Sequence, residues 1–468
     1  MKDEMQITGQ PIAPQLGAFV ADLGHEDIPA DIRARACHLI LDAVGIALAS
    51  TRYDFAHRTL SALSGFGTGP AQVIGMGARL PLRDAVMMNA LLVHGLDYDD
   101  THVAGVIHAT AAAFPTALGM AADRRASGRD MLSAYIAGME VSTRLGSVAK
   151  GGFHQVGYHP TGMIGVFAAA LIASRLQGLN AAQMADAQGI ALSMASGSME
   201  FLQDGAWTKR MHPGWASVGG ITAAAMARAG FKGPKAVYEG RFGLFPLYLN
   251  EAEQAGMDLS LATAGLGESW EITNVAVKPI PACHFTHACA DAAMALRSEH
   301  GFAPGDIASI RALVPAGVHK TVCQPIETKQ RPQNSYDAQF SIPWAVASGL
   351  VRGCFGLEEL DALNDPALLA IAGKVECENY PDAPFPKYYS GEVAVILKDG
   401  RTLTHREEIN RGNPDRPLSG TDIEAKYFET ACTAVSHSRA EQIRDAVLRL
   451  DALDDASSLA ALLAGNPE

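Results

Sequence analysis

Alanine and glycine recur at helical spacing through about half of the sequence, and this pattern restricts the fold more than any other feature. From about residue 32 to 265, segments such as ARACHLILDAVGIALAS (34–50) and GMIGVFAAALIASRLQGL (162–179) place apolar residues at i, i+3 and i+4. Small side chains at this density allow helix axes to approach closely, and glycine and proline interrupt the pattern where helices should end. The sequence therefore predicts a large bundle of helices rather than a core built on a sheet.

The pattern changes after residue 270. The segment EITNVAVKPIPACH (271–284) alternates and carries β-branched residues, DIASIRALVPAGVH (306–319) is typical of a strand, and GEVAVILKDGRTLTHREEI (391–409) predicts a hairpin with Asp-Gly at its turn. FSIPWAVASGLV and PALLAIAGKV predict helices between these strands, and helical spacing returns from about residue 420. The predicted fold class is mainly α with an α+β second domain. Its domains are residues 1–270 (helical), 271–414 (α+β) and 415–468 (helical, rejoining the first).

Composition excludes several classes of protein. The formal net charge of −13 argues against nucleic acid as a partner, because neutralising phosphates requires a basic surface. The seven cysteines form no CxxC pair, which favours reduced thiols over disulfides or structural zinc. The first ten residues are polar and acidic, unlike a secretory signal, and no uncharged apolar run reaches membrane-spanning length without interruption. We expect a cytoplasmic protein that binds neither nucleic acid nor membrane.

Titratable groups are concentrated in HGLDYDDTHVAGVIH (94–108), between two apolar runs. On a continuous helix, Thr101 and His108 would lie within about 40° of Asp97 on one face. Gly105 makes a helix end that continues as a loop an equally good interpretation. Either arrangement brings a carboxylate, a hydroxyl and an imidazole to the edge of an apolar core. The alternative is structural, with the Asp and Thr capping a helix end and the His bonded to backbone.

A second candidate is His159 in GGFHQVGYHPTGMIG, directly before a helix of small apolar residues. The positive end of that helix favours a neutral imidazole that can accept a proton, and it also attracts anions. A purely structural histidine explains this position equally well.

Two further clusters are basic. Lys209, Arg210 and His212 lie together in TKRMH, whereas Lys278 follows a predicted strand and His284 follows a proline-constrained turn. A lysine at a strand end is more often solvated than functional. Together with the acidic cluster, however, these residues would supply cations for a carboxylate substrate and a base for its α-proton.

Five motifs occur together and in order: HGLDYDDTH, GYHPTGMIG, TKRMHPGWAS, VKPIPACHFTH and NSYDAQFSIPWAVASGLV. From about residue 10 to 460 the chain resembles the MmgE/PrpD family, which includes 2-methylcitrate dehydratase, cis-aconitate decarboxylase and iminodisuccinate epimerase. The resemblance implies a helical domain with an inserted α+β lid and a homodimer. It also implies proton-transfer chemistry on small di- and tricarboxylates, with no metal and no organic cofactor.

The resemblance also implies the residues of the site. The matching motif positions that it implies to be catalytic are Asp97, Thr101, His108, His159, Lys209 and Lys278. We predict in addition that four residues near them in the sequence bind substrate: His102, Arg210, His212 and His284. The chain departs from the family pattern at Ala109, where members commonly have proline, and in the spacing from Thr101 to His108 and from Lys278 to His284. These departures leave the substrate open.

The predicted function is a cofactor-independent lyase or isomerase that acts through α-proton abstraction and an enediolate, similar first to 2-methylcitrate dehydratase. An epimerase or a decarboxylase of the same family is the alternative. Two further hypotheses come from other classes: a Mg²⁺ site at the DYDD carboxylates, and a helical paralogue that has lost its chemistry.

Overall fold

The computed structural model describes residues 10–465, which form two compact units. One unit comprises residues 10–200, 207–275 and 419–465, and the other comprises 201–206 and 276–418. The predicted fold class, a helical part with a smaller α+β part, is confirmed. The predicted domain boundaries at 271 and 415 stay predictions, because a compact unit is not necessarily a domain that folds alone.

The N-terminal part of the first unit is almost entirely helical. Its elements are α1 (Ile12–Asp22), α2 (Ala30–Ser50), α3 (Asp54–Ser64), β1 (Ala71–Val73), β2 (Met76–Leu80), α4 (Leu82–His94), β3 (Thr101–His102), α5 (Thr110–Arg124), α6 (Gly128–Ala149), α7 (Gly152–Gln155), α8 (Pro160–Leu176), α9 (Ala181–Ala191), α10 (Thr208–Arg228), α11 (Leu244–Tyr248) and α12 (Glu251–Gly256).

The core of this unit surrounds α8, which is apolar on every side and buried from Pro160 to Ser174. Small residues let α10 pack directly against it. A Cβ atom on Gly220 of α10 would lie 2.5 Å from Cβ of Ala169 on α8, so only glycine permits this approach. The close helix packing predicted from the alanine and glycine content is therefore present where the two helices that lead into the site meet.

The second unit contains a four-stranded mixed sheet covered by helices. After β4 (Val275–Ala276), its elements are α13 (His287–His300), β5 (Ile307–Val314), α14 (His319–Val322), α15 (Ile326–Gln330), α16 (Ser335–Gln339), α17 (Ile342–Arg352), α18 (Leu357–Asp361), α19 (Pro366–Ala372), β6 (Val375–Asn379), β7 (Gly391–Leu397) and β8 (Thr402–Glu407). The chain then returns to the first unit with α20 (Gly420–Ala431), α21 (His437–Leu448) and α22 (Ser457–Leu463).

The strand order of the sheet is β6-β5-β7-β8. β5 pairs parallel with β6, and Ile310 lies opposite Val375. β7 pairs antiparallel with both β5 and β8, so the predicted hairpin is confirmed. The strand predicted in 271–284 was too long, since β4 covers only two residues. Pro279 and Pro281 lack the backbone N–H that a longer ladder would need.

Helices of the described chain differ in length and burial, but none of those in 10–465 is both long enough and apolar enough to cross a membrane.

Candidate active site

The first wall of the site begins where α4 ends. A Cβ on Gly95 would lie 2.6 Å from the Phe55 ring, so the chain can turn there only without a side chain. Asp97 follows with φ of +49°, a left-handed conformation that aspartate tolerates better than most residues. The continuous helix considered for 97–108 is therefore wrong, and the alternative, a helix end followed by a loop, is what the structure shows.

A short antiparallel bridge closes this loop. The backbone N–H of His102 donates to Ile107 O at 2.8 Å, and the N–H of Ile107 donates back to His102 O at 3.3 Å. Val106 makes the turn between them with φ of +51°, which is unusual for a β-branched residue. The bridge returns the chain on itself, so that Nδ1 of His108 lies 3.3 Å from Oγ1 of Thr101.

His108 lies between two carboxylates. Its Nδ1 is 2.7 Å from the backbone oxygen of Asp100, which can only accept, so Nδ1 carries a proton and donates it. Its Nε2 lies 3.9 Å from Asp97 Oδ1, and Nδ1 lies 3.9 Å from Asp99 Oδ1. Both carboxylates are buried, and a positive charge on the ring is stabilised from both sides.

The second wall comes from the starts of α8 and α10. His159 is the N-cap residue of α8, and its Nδ1 lies 3.0 Å from Nδ1 of His212 on α10. Burial is the main cause that holds the pKa of His159 well below its usual value, and the proximity of His212 and Lys209 further disfavours a proton on this ring. Burial, with His94 and Lys209, lowers the pKa of His212 to about 4. Both imidazoles are therefore neutral near pH 7, and one donates its Nδ1 proton to the other.

Lys209 joins the two walls. Its Nζ donates to Oδ1 of Asp97 at 2.8 Å, and both residues are buried. Asp97 consequently interacts with an ammonium and with the imidazole of His108 at the same carboxylate oxygen. A buried ion pair adds little net stability, so this pair within a cluster of imidazoles marks the cluster as the candidate site.

Two of the predicted substrate-binding residues contact the protein around this loop. Nε of Arg210 donates to Gly95 O at 2.7 Å, and its guanidinium lies 4.5 Å from the centroid of the Phe55 ring. Nε2 of His102 lies 3.1 Å from Oε2 of Glu271, and this hydrogen bond is the main cause that lowers the pKa of Glu271 to about 2. These contacts fix the start of the loop and its short bridge.

The remaining two predicted residues belong to the second unit. Lys278 is fully buried there. Nε2 of His284 accepts from the side-chain amide of Asn410 at 2.7 Å, and its ring meets Tyr389 edge-on at 5.4 Å between centroids. The structure thus brings Asp97, Thr101, His108, His159, Lys209 and His212 together within the first unit.

Two residues of the cluster had not been selected as candidates. His94, the last residue of α4, places Nδ1 2.7 Å from Oδ2 of Asp99. Its ring centroid lies 4.9 Å from that of His108 and 5.5 Å from that of His159. The sequence did carry a signal for His94, which on a continuous helix would lie within about 60° of Asp97, whereas Asp99 would lie on the opposite face and only the density of ionisable groups in 94–108 points to it.

A cavity of about 530 Å³ reaches this cluster from one side. It is lined by the loop 196–200 and the first two turns of α10, with His212 on its wall and Trp215, 47% exposed, beside it. His212 is therefore accessible from the cavity and in contact with His159.

Comparison with known proteins extends over nearly the whole chain. The family model of the MmgE/PrpD N-terminal domain matches residues 14–256, and that of the MmgE/PrpD C-terminal domain matches residues 280–452. A cis-aconitate decarboxylase of Homo sapiens is 30% identical over 92% of this chain and 90% of its own length. A cis-aconitate decarboxylase-like protein, oryM, of Aspergillus oryzae is 27% identical over 97% of each chain. A cis-aconitate decarboxylase of Aspergillus terreus is 27% identical over 97% of this chain and 96% of its own length.

Proposed function

This chain belongs to the MmgE/PrpD family, and we propose that it is a lyase that decarboxylates cis-aconitate, or a closely similar unsaturated tricarboxylate, without a cofactor. The sequence favoured a dehydratase similar to that of 2-methylcitrate. The names of its relatives support the decarboxylase alternative instead. The observation that carries the proposal is the buried contact of Lys209 with Asp97 beside His108, opposite a pair of neutral imidazoles.

The proposed reaction needs one acid and no base. The bond between carbon and the departing carboxylate breaks, and carbon dioxide leaves. The electron pair moves into the neighbouring unsaturated carbons, and one proton is delivered to carbon, which gives an unsaturated dicarboxylate. Carbons, charge and protons balance without an oxidant or a reductant.

His108 is the proposed acid. Carboxylates of Asp97 and Asp99 lie 3.9 Å from its two ring nitrogens and stabilise the imidazolium that can give up a proton. Its Nδ1 proton is held by the oxygen of Asp100 at 2.7 Å, so Nε2 is the atom that delivers the proton. The hydroxyl of Thr101 lies against the same ring and helps to fix its orientation.

Lys209 is proposed to bind a carboxylate that the substrate retains. Negative charge spreads towards that group as carbon dioxide leaves, and an ammonium held in place by Asp97 stabilises it without reorganisation. Cations are useful at retained carboxylates but not at the departing one, since that group becomes neutral.

His159 and His212 are proposed to face the departing carboxylate. Their low pKa values keep them uncharged, and both are buried, so they provide a surface that does not stabilise a negative charge strongly. A carboxylate placed against such a surface has few favourable electrostatic interactions, so it loses little interaction energy when it becomes neutral carbon dioxide. Lys278 stays a predicted catalytic residue, and His284, Arg210 and His102 stay predicted substrate contacts. Alanine substitutions with separate measurement of kcat and KM would test all four.

A substrate panel in deuterium oxide tests the proposal. The purified protein is incubated with cis-aconitate, 2-methylcitrate or iminodisuccinate, with and without EDTA, and carbon dioxide and products are followed by mass spectrometry and NMR. We expect carbon dioxide only from cis-aconitate, with one deuterium in the product, and no effect of EDTA. Water loss from 2-methylcitrate would restore the dehydratase hypothesis. Loss of turnover with EDTA that Mg²⁺ restores would favour the metal hypothesis, and no turnover with any substrate would favour the inactive paralogue.

We also propose that the protein is a cytoplasmic homodimer, as the family resemblance implies. Sedimentation equilibrium over a range of concentrations tests the dimer, and fractionation of the source cells tests the location.

A further inference from the structure

A buried lysine from the C-terminal part of the chain reaches the loop that carries Asp97. Lys426, on α20, is 5% exposed, and its Nζ donates to the backbone oxygen of Tyr98 at 2.9 Å. The same Nζ lies 2.7 Å from Oδ1 of Asp42 on α2 and 3.8 Å from the centroid of the Tyr98 ring. One ammonium therefore joins α2, α20 and the segment between Asp97 and Asp99.

Lys426 binds the peptide oxygen of Tyr98, which lies between two carboxylates of the cluster, so a shift of this peptide would move both. Asp97, directly before Tyr98, has φ of +49°, and its carboxylate contacts both Lys209 and His108. Asp99, directly after Tyr98, contacts His94 at 2.7 Å. A residue in a sparsely populated backbone conformation keeps it only when its surroundings determine that conformation.

Stability alone does not explain a lysine in this place. Removing an ammonium and a carboxylate from water costs about as much as their attraction returns, and apolar residues of similar volume often serve the fold equally well. A salt bridge between α2 and α20 would also not require contact with the oxygen of Tyr98. The hydrogen bond to that oxygen and the ring beneath the ammonium both direct Lys426 towards the loop.

We propose that Lys426 is a positioning residue, which fixes the backbone at Tyr98 and thereby holds the carboxylate of Asp97 against Lys209 and His108. This inference rests on the proposed function only in that Asp97 belongs to the catalytic cluster. Lys426 itself touches no reacting atom.

Two variants separate positioning from stability. Lys426→Met removes the ammonium, keeps an apolar chain, and leaves Asp42 buried without its cation. We expect kcat to fall by about 10²-fold, the scale of a displacement of about 1 Å in a catalytic group, with KM changed by less than about threefold. The melting temperature should also fall. The double variant Asp42→Leu/Lys426→Met replaces the ion pair by apolar residues and should regain stability.

The activity of the double variant decides the inference. If Lys426 positions the loop, kcat stays low although stability has returned, because the donor to Tyr98 O is still missing. If kcat recovers together with the melting temperature, Lys426 is only structural and the inference is wrong. Lys426→Arg, which restores a donor, should regain part of the lost kcat.

Lys329 supplies a matched control. It is buried like Lys426, and its Nζ donates to a backbone oxygen, that of Thr321, at 2.9 Å. Lys329→Met should lower the melting temperature while the folded enzyme keeps its kcat. A fall in kcat similar to that of Lys426→Met would show that losing any buried lysine slows turnover, and would contradict a positioning role.

A crystal structure of the double variant tests the inference without any substrate. We expect the Asp97 carboxylate to have moved away from Lys209, with which it makes a 2.8 Å contact in the wild type. An unchanged contact would overturn the inference. Failure of the wild type to release carbon dioxide from cis-aconitate would overturn the proposed function and leave this structural comparison intact.

Discussion

The two walls of the site place their ionisable groups in different ways. The loop wall (residues 97–108) carries the carboxylates and His108 on irregular backbone, with two residues other than glycine at positive φ. The helix wall (His159, Lys209 and His212) consists of an N-cap residue and the first turns of regular helices. The loop wall stabilises positive charge, whereas burial keeps the imidazoles of the helix wall neutral.

This difference matches two separate tasks in the proposed decarboxylation. In the proposed reaction an acid in a fixed position delivers the proton, and His108 of the loop wall lies between two carboxylates that stabilise a positive charge on its ring. In the same proposal carbon dioxide leaves from surroundings that do not hold an anion, which is the role proposed for the neutral imidazoles of the helix wall. Lys209 is the exception, since it lies on a helix but interacts with the loop wall through Asp97.

The largest expected effect is a loss of kcat, and it is measured by comparing variants of His108 and His159. His108→Asn keeps a donor to the oxygen of Asp100 but removes the acid, and we expect kcat to fall by about 10²–10⁴-fold, the usual contribution of a general acid. His159→Asn keeps contact with His212 and should cost less. His57, which is exposed, provides the control His57→Asn. An equal or larger loss in His159→Asn would move the acid to the helix wall.

A somewhat smaller loss of kcat is expected for Lys209 than for His108, and it should distinguish Lys209 from its neighbour Arg210 on α10. Lys209→Met should lower kcat by about 10²–10³-fold and raise KM less, because its ammonium stabilises charge that develops during the reaction. Arg210→Met removes the contacts to Gly95 and Phe55. Its main effect should therefore be a lower melting temperature, with a much smaller loss of kcat than in Lys209→Met. Steady-state kinetics and thermal unfolding of both variants provide the comparison. A rise in KM alone for Lys209→Met would show that this lysine only binds substrate.

The helix wall was the easier wall to predict from sequence. Proline at the first position of α8 places His159 at the N-cap by local rules alone, and the sequence predicted that position correctly. The lysine of TKRMH was selected from the resemblance and from its apolar flanks. Local propensity was sufficient here because regular helices position these side chains.

The loop wall could be predicted only as a region. The contacts that shape it come from distant residues, such as Lys426 at the oxygen of Tyr98 and Thr161 Oγ1, which accepts from the N–H of His108 at 3.1 Å. No periodicity in 94–108 contains these partners. Helical phase was counted only forward from Asp97, so it passed over His94, which lies on the same face, and it excludes Asp99, which lies on the opposite one. The roles assigned to all of these residues stay predictions until variants are measured.

The two walls should also differ in how they make the free energy of unfolding depend on pH. Burial raises the pKa of Asp100 to about 7, so between about pH 4 and 7 the folded protein holds a proton that the unfolded chain lacks, and this group favours folding at lower pH. The pKa of His212, lowered to about 4, has the opposite effect, since below pH 6.5 the unfolded chain takes up the proton. Each group changes the free energy of unfolding by at most roughly 3–4 kcal/mol over its pH range.

Neutral isosteres should reveal these opposite slopes. In Asp100→Asn the free energy of unfolding should fall more steeply than in the wild type as pH is lowered from 7 to 5. In His212→Asn it should fall less steeply. Urea unfolding at pH 5, 6, 7 and 8 measures both differences. Variant profiles that run parallel to the wild type would show that the two groups titrate alike in the folded and unfolded states.

The smallest expected effect tests whether the loop wall is strained. Val106 has φ of +51°, which costs a residue with a Cβ about 1–2 kcal/mol. Val106→Gly removes that cost but gives the unfolded chain more freedom, worth roughly 0.5–1 kcal/mol. The free energy of unfolding should therefore rise by between about 0 and 1.5 kcal/mol. Val103, in the same turn but without positive φ, provides the control, and Val103→Gly should be destabilising.

Activity shows what the strain at Val106 is for. This residue makes the turn that returns His108 to Thr101, so a glycine there should allow the imidazole to move. A more stable Val106→Gly with kcat lowered a few-fold would indicate that the loop wall gives up stability to hold its acid in place. If Val106→Gly instead loses stability as Val103→Gly does, the turn at Val106 is not strained, and the two walls differ in charge and in backbone regularity without strain at this turn.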